Sequence, residues 1–268
     1  MRSNTNILFG HHVPIREIHE VEFSSRCNLA CRYCPHPKMQ RAKADMTDET
    51  FAATLRHIDR LCKLGTQNEV SLTGIGEAIL HPKFIPWMHE IRSVIGDHRR
   101  LVVATNGVAL TREMADEMAA ARATVFVSTH RPEKAGPAVQ MLRAAGVKTG
   151  TNTAFVDSAI DWAGQVQWHV SANTRVCEYL SSRWCAVRQD GSVNTCCMDA
   201  EGLAPIGHVR EAELFTSATK VCEGCHLAVP LEFRKDGQWS QEIIDAYYKQ
   251  EAQVNHALKT EPVSKAVA

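Results

Sequence analysis

The stretch Cys27-Asn28-Leu29-Ala30-Cys31-Arg32-Tyr33-Cys34 decides how the chain is read. Its three cysteines stand at x3 and x2 spacing, just after a weakly alternating run over 18–23 that reads as a β-strand. Three thiolates this close cannot by themselves close a four-ligand structural site. They can hold three irons of a [4Fe–4S] cluster and leave the fourth iron open. An open position separates a catalytic metal site from a structural one. Half of a zinc site, or a chance grouping of cysteines, is the competing reading.

The rest of the composition narrows the setting. A chain of 268 residues suits one barrel-sized domain with a small appendage. Lys+Arg and Asp+Glu are both 30, so no basic excess announces a nucleic-acid surface, although a local patch stays open. The polar N-terminus carries no secretory signal, and no apolar run approaches the ~18–20 residues that span a bilayer. A soluble, cytoplasmic protein with no membrane partner is expected. Ten cysteines in a reducing compartment favour metal over disulfide.

Along the chain, 46–64 reads as a helix, with Thr47 as N-cap, Asp48 and Glu49 in the first turn and Gly65 after the end. Phe51, Leu55, Ile58 and Cys62 share one face, which makes Cys62 a small core hydrophobe. Pro35-His36-Pro37 is expected to stop regular structure. Strand candidates at 69–73, 101–105, 124–128, 147–155 and 165–170 then alternate with helices over 82–95, 111–122 and 136–145. With the first strand this makes six β/α units, short of the eight that close a barrel. The fold class is therefore α/β, an open, partial (β/α)6 barrel over 1–172, its core beginning near residue 17. Strand ends carry Thr73-Gly74-Ile75-Gly76-Glu77, Thr105-Asn106-Gly107, Ser128-Thr129-His130-Arg131 and Asn152-Thr153. In parallel β/α folds such ends form the functional edge, here a polar mouth beside the cysteine loop.

The cysteine triplet, with the aromatic Tyr33 directly before its last member, resembles the signature of the radical S-adenosylmethionine (SAM) enzymes. Gly74-Ile75-Gly76-Glu77 resembles that family's glycine-glycine-glutamate segment, with one residue between the glycines. The resemblance implies the same partial barrel, a [4Fe–4S] cluster on Cys27, Cys31 and Cys34, and SAM as cofactor. It implies reductive cleavage of SAM to methionine and a 5′-deoxyadenosyl radical that takes hydrogen from a substrate. An external one-electron reductant of flavodoxin or ferredoxin type follows. Implied cofactor contacts are Tyr33, Gly74, Gly76, Glu77, Thr105, Asn106, Ser128 and Asn152, with Glu77 accepting from the methionyl amine. Turn and cap roles are the alternative for each. His130 and Arg131 stand where the family often contacts cofactor or substrate; a surface role is equally open.

After residue 172 the alternation stops. Cys177, Cys185, Cys196, Cys197, Cys222 and Cys225 fall within 49 residues, and Asp190-Gly191-Ser192-Val193 signals a hairpin. A hairpin plus the Cys222-Glu223-Gly224-Cys225 knuckle can enclose a zinc ion or a cubane cluster, and spacing does not separate the two. The pattern resembles the SPASM or Twitch auxiliary-cluster domain, here 173–229, and implies one further [4Fe–4S] cluster on Cys177, Cys196, Cys222 and Cys225. Cys185 is expected in the core. Cys197 is expected to be buried, or to be the ligand in place of Cys196. Residues 230–268 read as a charged tail, helical around 239–252 and disordered from 259.

Within this class a small molecule or an amino-acid- or nucleotide-type group is the expected substrate, a phage-type DNA-base hypermodification step among them. Ribosomal-peptide modification is the alternative; only 26 residues precede Cys27, too few for a leader-binding domain. From other classes come a non-catalytic iron–sulfur electron carrier or scaffold, which would not need the polar mouth, and a zinc-stapled nucleic-acid module, which neutral charge disfavours.

Overall fold

A computed structural model of the chain describes residues 12–31, 34–129, 132–152, 177–223, 225, 234–235 and 238–239. Short apolar runs alternate with capped amphipathic helices, and the physics of each decides its form. The strands are β1 (Glu17–Val21), β2 (Glu69–Leu72), β3 (Arg100–Thr105), β4 (Thr124–Ser128) and β5 (Lys148–Asn152). Each pairs in parallel with the next. The helices are α1 (Asp48–Lys63), α2 (Phe84–Ile95), α3 (Arg112–Ala120) and α4 (Pro132–Ala144). Thr47 caps α1 by accepting the Thr50 N–H at 3.2 Å, and Thr111 caps α3 by accepting that of Met114 at 3.2 Å. Phe23, Phe51 and Trp87 interlock between β1, α1 and α2, with Phe51 and Trp87 stacked at 4.1 Å.

Four details differ from the sequence reading. His36–Lys38 forms a 3-10 turn where the proline pair was expected to end regular structure. Proline in the first turn of a helix gives up an N–H that would have no intrahelical partner anyway. For the same reason α4 starts at Pro132, four residues before the expected start at Gly136. The helix over 82–95 begins only at Phe84, after a separate 3-10 turn at Ala78–Leu80. Trp239, expected in a helix, pairs instead with Arg234 in a short hairpin. The expected strand over 165–170 and the tail from 240 lie outside the described residues.

The sheet does not stop at β1. Strand β6 (Trp184–Val187) runs parallel to it, with Glu17 opposite Trp184 and Val21 opposite Val187. Two antiparallel strands follow, β7 (Ser192–Asn194) and β8 (Gly207–His208), giving the order β5-β4-β3-β2-β1-β6-β7-β8. The β6–β7 turn is the expected Asp190-Gly191 hairpin: Gly191 adopts φ 88°, and Asp190 Oδ1 accepts the Ser192 N–H at 3.0 Å. Cys185 on β6 is fully buried, as expected for a core residue, and Cys62 packs against the same core.

One buried ion pair fastens these parts where β1 ends. Glu22, 2% exposed, accepts from Arg41 Nη1 at 2.9 Å and Nη2 at 2.7 Å. Its Oε1 also accepts the Ile75 N–H at 2.9 Å. Arg41 completes its fork on Gln189 Oε1 at 2.6 Å and the Ala200 carbonyl at 2.7 Å. Burial works against the Glu22 charge, and Arg188 and Arg41 more than offset it, so the carboxyl sits below its usual range. The unfolded chain takes up that proton more readily than the folded one. This contribution is therefore present above the ordinary carboxylate value of ~4.3 and is lost as pH falls through the lower folded value.

Glu22→Gln leaves the guanidinium buried without its anion, and should cost about 3–5 kcal/mol in urea unfolding at neutral pH. It should also flatten the loss of stability on the acid side. A variant within about 1 kcal/mol of wild type would show that the pair is not what joins the segments.

Candidate active site

The C-terminal ends of the parallel strands open on a cleft enclosing about 870 Å³. Cys27, Cys31 and Cys34 line it from the loop after β1. Gly74, Gly76 and Glu77 line it after β2, Thr105 and Asn106 at the end of β3, Ser128 at the end of β4 and Asn152 at the end of β5. The strand-end argument thus brings all these expected residues to one space. Tyr33, His130 and Arg131 lie outside the described residues.

The cysteine loop hangs from a knot of short bonds. Ser25 Oγ donates to the Ala42 carbonyl at 3.0 Å and accepts the Ala44 N–H at 2.9 Å. Ser24 Oγ donates to Asp45 Oδ1 at 2.7 Å. A ring nitrogen of His36 lies 3.1 Å from the Ser25 carbonyl. The loop is joined to the glycine segment through the Glu77 N–H, which donates to the Arg26 carbonyl at 2.7 Å.

That closeness gives the glycines a packing reason of their own. The expectation is that they let backbone approach a ligand. In the fold a Cβ on Gly74 would stand 2.5 Å from the Glu22 side chain, and one on Gly76 only 2.1 Å from the Ser24 carbonyl. Both positions are set by packing of the glycine segment on residues 22–25, and their backbone lines the cleft as a consequence.

Glu77 is 3% exposed and half satisfied. Its Oε2 accepts the Asn106 N–H at 2.8 Å, whereas Oε1 is buried with no hydrogen-bond partner. Burial pushes the carboxyl up to about 7 against the pull of its hydrogen-bond donors. A buried, half-satisfied carboxylate oxygen fits a cationic donor arriving with a ligand. Asn106 is employed by the protein itself: Nδ2 donates to Asn28 Oδ1 at 2.8 Å and Oδ1 accepts the Val108 N–H at 2.9 Å. Thr105 Oγ1 accepts the Gly107 N–H at 3.0 Å. These two residues brace the cysteine loop and the turn after β3, the cap role that competes with a ligand contact.

A second cavity of about 430 Å³ lies beyond β6, lined by Cys177, Cys196, Cys222 and Cys225 together with Leu180, Met198 and Val221. Cys177 precedes α5 (Glu178–Ser182), Cys196 follows β7, and Cys222 is on the four-residue α6 (Lys220–Glu223). Burial pushes the Cys177 thiol up to about 12 and that of Cys34 in the main cleft up to about 11. Among the described residues, no three His, Cys, Asp or Glu side chains converge on a single-ion position. Thiols are the donors that iron–sulfur clusters take, and the chemistry of both donor sets suits such a group. The two adjacent cysteines, left open by sequence, part company: Cys196 lines the second cavity and Cys197 lines the main cleft.

Sequence reasoning missed Glu20 and Cys197 as cleft residues and Tyr179 behind them. Tyr179 Oη donates to Glu20 Oε1 at 2.5 Å and stands 3.6 Å from Cys197 Sγ. The signal available was a carboxylate one residue from the end of β1, on the functional edge of the sheet. Among the described residues, no helix is long and apolar enough to cross a membrane.

The chain matches the Radical SAM superfamily model over residues 21–171. It is 32% identical over 99 residues to a "tungsten-containing aldehyde ferredoxin oxidoreductase cofactor-modifying protein" of Pyrococcus furiosus, covering 37% of this chain and 26% of that one. It is 29% identical over 148 residues to a GTP 3′,8-cyclase of Heliobacterium modesticaldum, covering 52% and 43%. The chain thus spans less than half the length of these relatives. Among solved structures, BtrN in complex with AdoMet and 2-DOIA superposes with TM-score 0.63 at 19% identity, covering 93% of this chain and 89% of that one. Native anSMEcpe with bound AdoMet and Cp18Cys peptide gives TM-score 0.54 at 14% identity, covering 91% and 98%. At these identities the likeness is one of fold.

The packing explanation for the glycines is open to a direct check. Gly76→Ala meets backbone that cannot swing away and should destabilise by ~3 kcal/mol or more, at the upper end of overpacking costs. Gly74→Ala meets a side chain and should cost less. Comparable thermal midpoints for Gly76→Ala and wild type would return these glycines to a ligand-approach role alone.

Proposed function

The chain belongs to the radical SAM superfamily and is an enzyme of that class; from this premise we propose that Cys27, Cys31 and Cys34 hold its [4Fe–4S] cluster with SAM in the same cleft. The observation that carries the reading is the meeting, in one space, of three thiols and the buried Glu77 carboxylate with its unpartnered oxygen. Bound there and reduced by an external one-electron donor of flavodoxin or ferredoxin type, the pair supplies a carbon radical that removes hydrogen from a substrate. The protein's own part is placement and exclusion of water. Glu77 receives the methionyl ammonium, Ser128 and Asn152 face the rest of the cofactor from β4 and β5, and Asn106 keeps the cysteine loop against the strand ends. Cys177, Cys196, Cys222 and Cys225 hold a second [4Fe–4S] cluster in the smaller cavity.

The reaction takes place on a small molecule or an amino-acid- or nucleotide-type group, in the cytoplasm. The cleft is lined by polar groups from the ends of several strands, the kind of convergent polar lining that orients a small ligand. The relatives' names point the same way, to a GTP cyclase and a cofactor-modifying protein. Action on a peptide, as the bound peptide of anSMEcpe would suggest, or on a DNA base is distinguished by assaying those substrates.

Two measurements test this. Anaerobic reconstitution should give two [4Fe–4S] clusters per chain, and replacing Cys27, Cys31 and Cys34 by Ala should leave about half the iron. Four irons plus one zinc would sink the second cluster, and failure to form deoxyadenosine on reduction with SAM would sink the reading of the cleft. Separately, Glu77→Gln should weaken SAM binding roughly ten- to a hundredfold with iron content unchanged, the worth of a charge-assisted hydrogen bond of ~1.5–3 kcal/mol. Unaltered affinity would leave Glu77 as a turn residue.

A further inference from the structure

Cys197 is assigned no part by either metal set. It faces the main cleft beside Cys27, Cys31 and Cys34, whereas its neighbour Cys196 faces the other cavity. It is half-buried and free, unlike Cys185, which is sealed in the core. It is also held. Tyr179 has one hydroxyl proton, and the 2.5 Å bond to the Glu20 carboxylate takes the larger share of it. The same hydroxyl is also the donor toward Cys197 Sγ at 3.6 Å, a weak second contact that holds the sulfur in place at the cleft wall. Tyr179 is itself fixed edge-on by His19 at 5.7 Å and Trp184 at 5.6 Å, rings that stack on each other at 3.9 Å. Glu20 and Cys197 form one part of the cleft wall, and the orphaned Glu77 oxygen, also lining the cleft, marks the space between as one built for a ligand.

An S–H bond is weaker than most C–H bonds. A thiol open to a cleft that produces carbon radicals is consumed unless it belongs to the reaction. We propose that Cys197 is a catalytic hydrogen-atom donor: it returns a hydrogen to the substrate carbon radical, so the enzyme remodels a carbon centre without net oxidation. The inference rests on the reading of the cleft given above. In the step, the S–H bond breaks homolytically, the hydrogen and one electron form the new C–H bond, and a sulfur-centred radical remains. One electron from the external one-electron reductant makes the thiolate. One proton from the Tyr179 hydroxyl, replaced from solvent by way of Glu20, restores the thiol. Tyr179 and Glu20 are positioning residues for this return.

The test uses the full chain, reconstituted with both clusters, reduced with dithionite in D2O with SAM alone as probe. Thiol hydrogens exchange with solvent, whereas carbon-bound hydrogens do not. Deoxyadenosine from wild type should carry solvent deuterium. The deuterium fraction, read per molecule of deoxyadenosine formed, should fall at least fivefold in Cys197→Ser and Cys197→Ala, with iron content as in wild type. Iodoacetamide should label Cys197 in the reconstituted chain, and the label should be slowed by SAM. Tyr179→Phe should keep the deuterium of the first turnover and slow those that follow, whereas a purely structural role would lower both. Unlabelled deoxyadenosine from wild type, equal labelling in the Cys197 variants, or iron lost from them would overturn the proposal. Absence of deoxyadenosine from wild type would overturn the reading of the cleft on which it stands.

Discussion

A carboxylate and a guanidinium buried together at the end of β1 set the terms for the rest of the molecule. Glu22 and Arg41 are taken out of water, and such a pair is tolerable only when nearly every donor and acceptor is used. Here the completing partners come from three places: the Ile75 N–H of the glycine segment, the Gln189 side chain of the β6–β7 turn, and the Ala200 carbonyl after β7. The cost of burying charge is thereby converted into register. A shift of the cysteine loop, the glycine segment or the hairpin by one residue would leave a charged group unpaired. The open thiol triplet, which cannot fix its own geometry, inherits it from this bond.

The same constraint makes the C-terminal third part of the sheet. β6 extends the parallel run on the far side of β1, so the hairpin that carries Cys196 and Cys197 starts from the barrel's own hydrogen-bond ladder. Two adjacent residues then reach two cavities across one peptide link. Past the end of β7 the chain bends and turns, and this puts one thiol with Cys177, Cys222 and Cys225 and the other with Glu20 and the cleft. The chemistry of the cleft and the integrity of the smaller cavity are coupled through that link.

What could be read from sequence was what is local. The x3–x2 cysteine spacing, the Thr47 and Thr111 caps, the Asp190-Gly191 turn and the strand-end polar residues each depend on neighbours a few positions away. The expected cleft residues that are described do meet in one space. What escaped depends on partners far along the chain. Glu22 read as a strand residue because Arg41 lies 19 positions from it and Gln189 a further 148 positions from Arg41. The glycines line the cleft as read, but their packing on Glu22 and Ser24 escaped because those neighbours lie far earlier in the chain. Tyr179 and Glu20 are 159 positions apart. Pro35-His36-Pro37 failed for a different reason, since a general rule about proline overlooked the first turn of a helix, where proline is at home.

The two thiol sets are prepared to different degrees. Around the first, Ser24, Ser25 and His36 fasten the segment that leads into the loop, and Asn106 bonds Asn28 within it. Among the described residues, short-range bonds shape the Cys222–Cys225 wall of the second: Thr219 N–H to Cys222 Sγ at 3.4 Å and Cys225 N–H to the Cys222 carbonyl at 3.2 Å. It joins the β7 side through Thr195 Oγ1, which donates to the Ser217 carbonyl at 2.6 Å. A four-residue helix adds little cohesion of its own. Where the protein leaves geometry to be completed, metal binding is folding energy. The smaller site is therefore where a cluster would serve structure as much as electron flow, while the main cleft keeps its shape for chemistry.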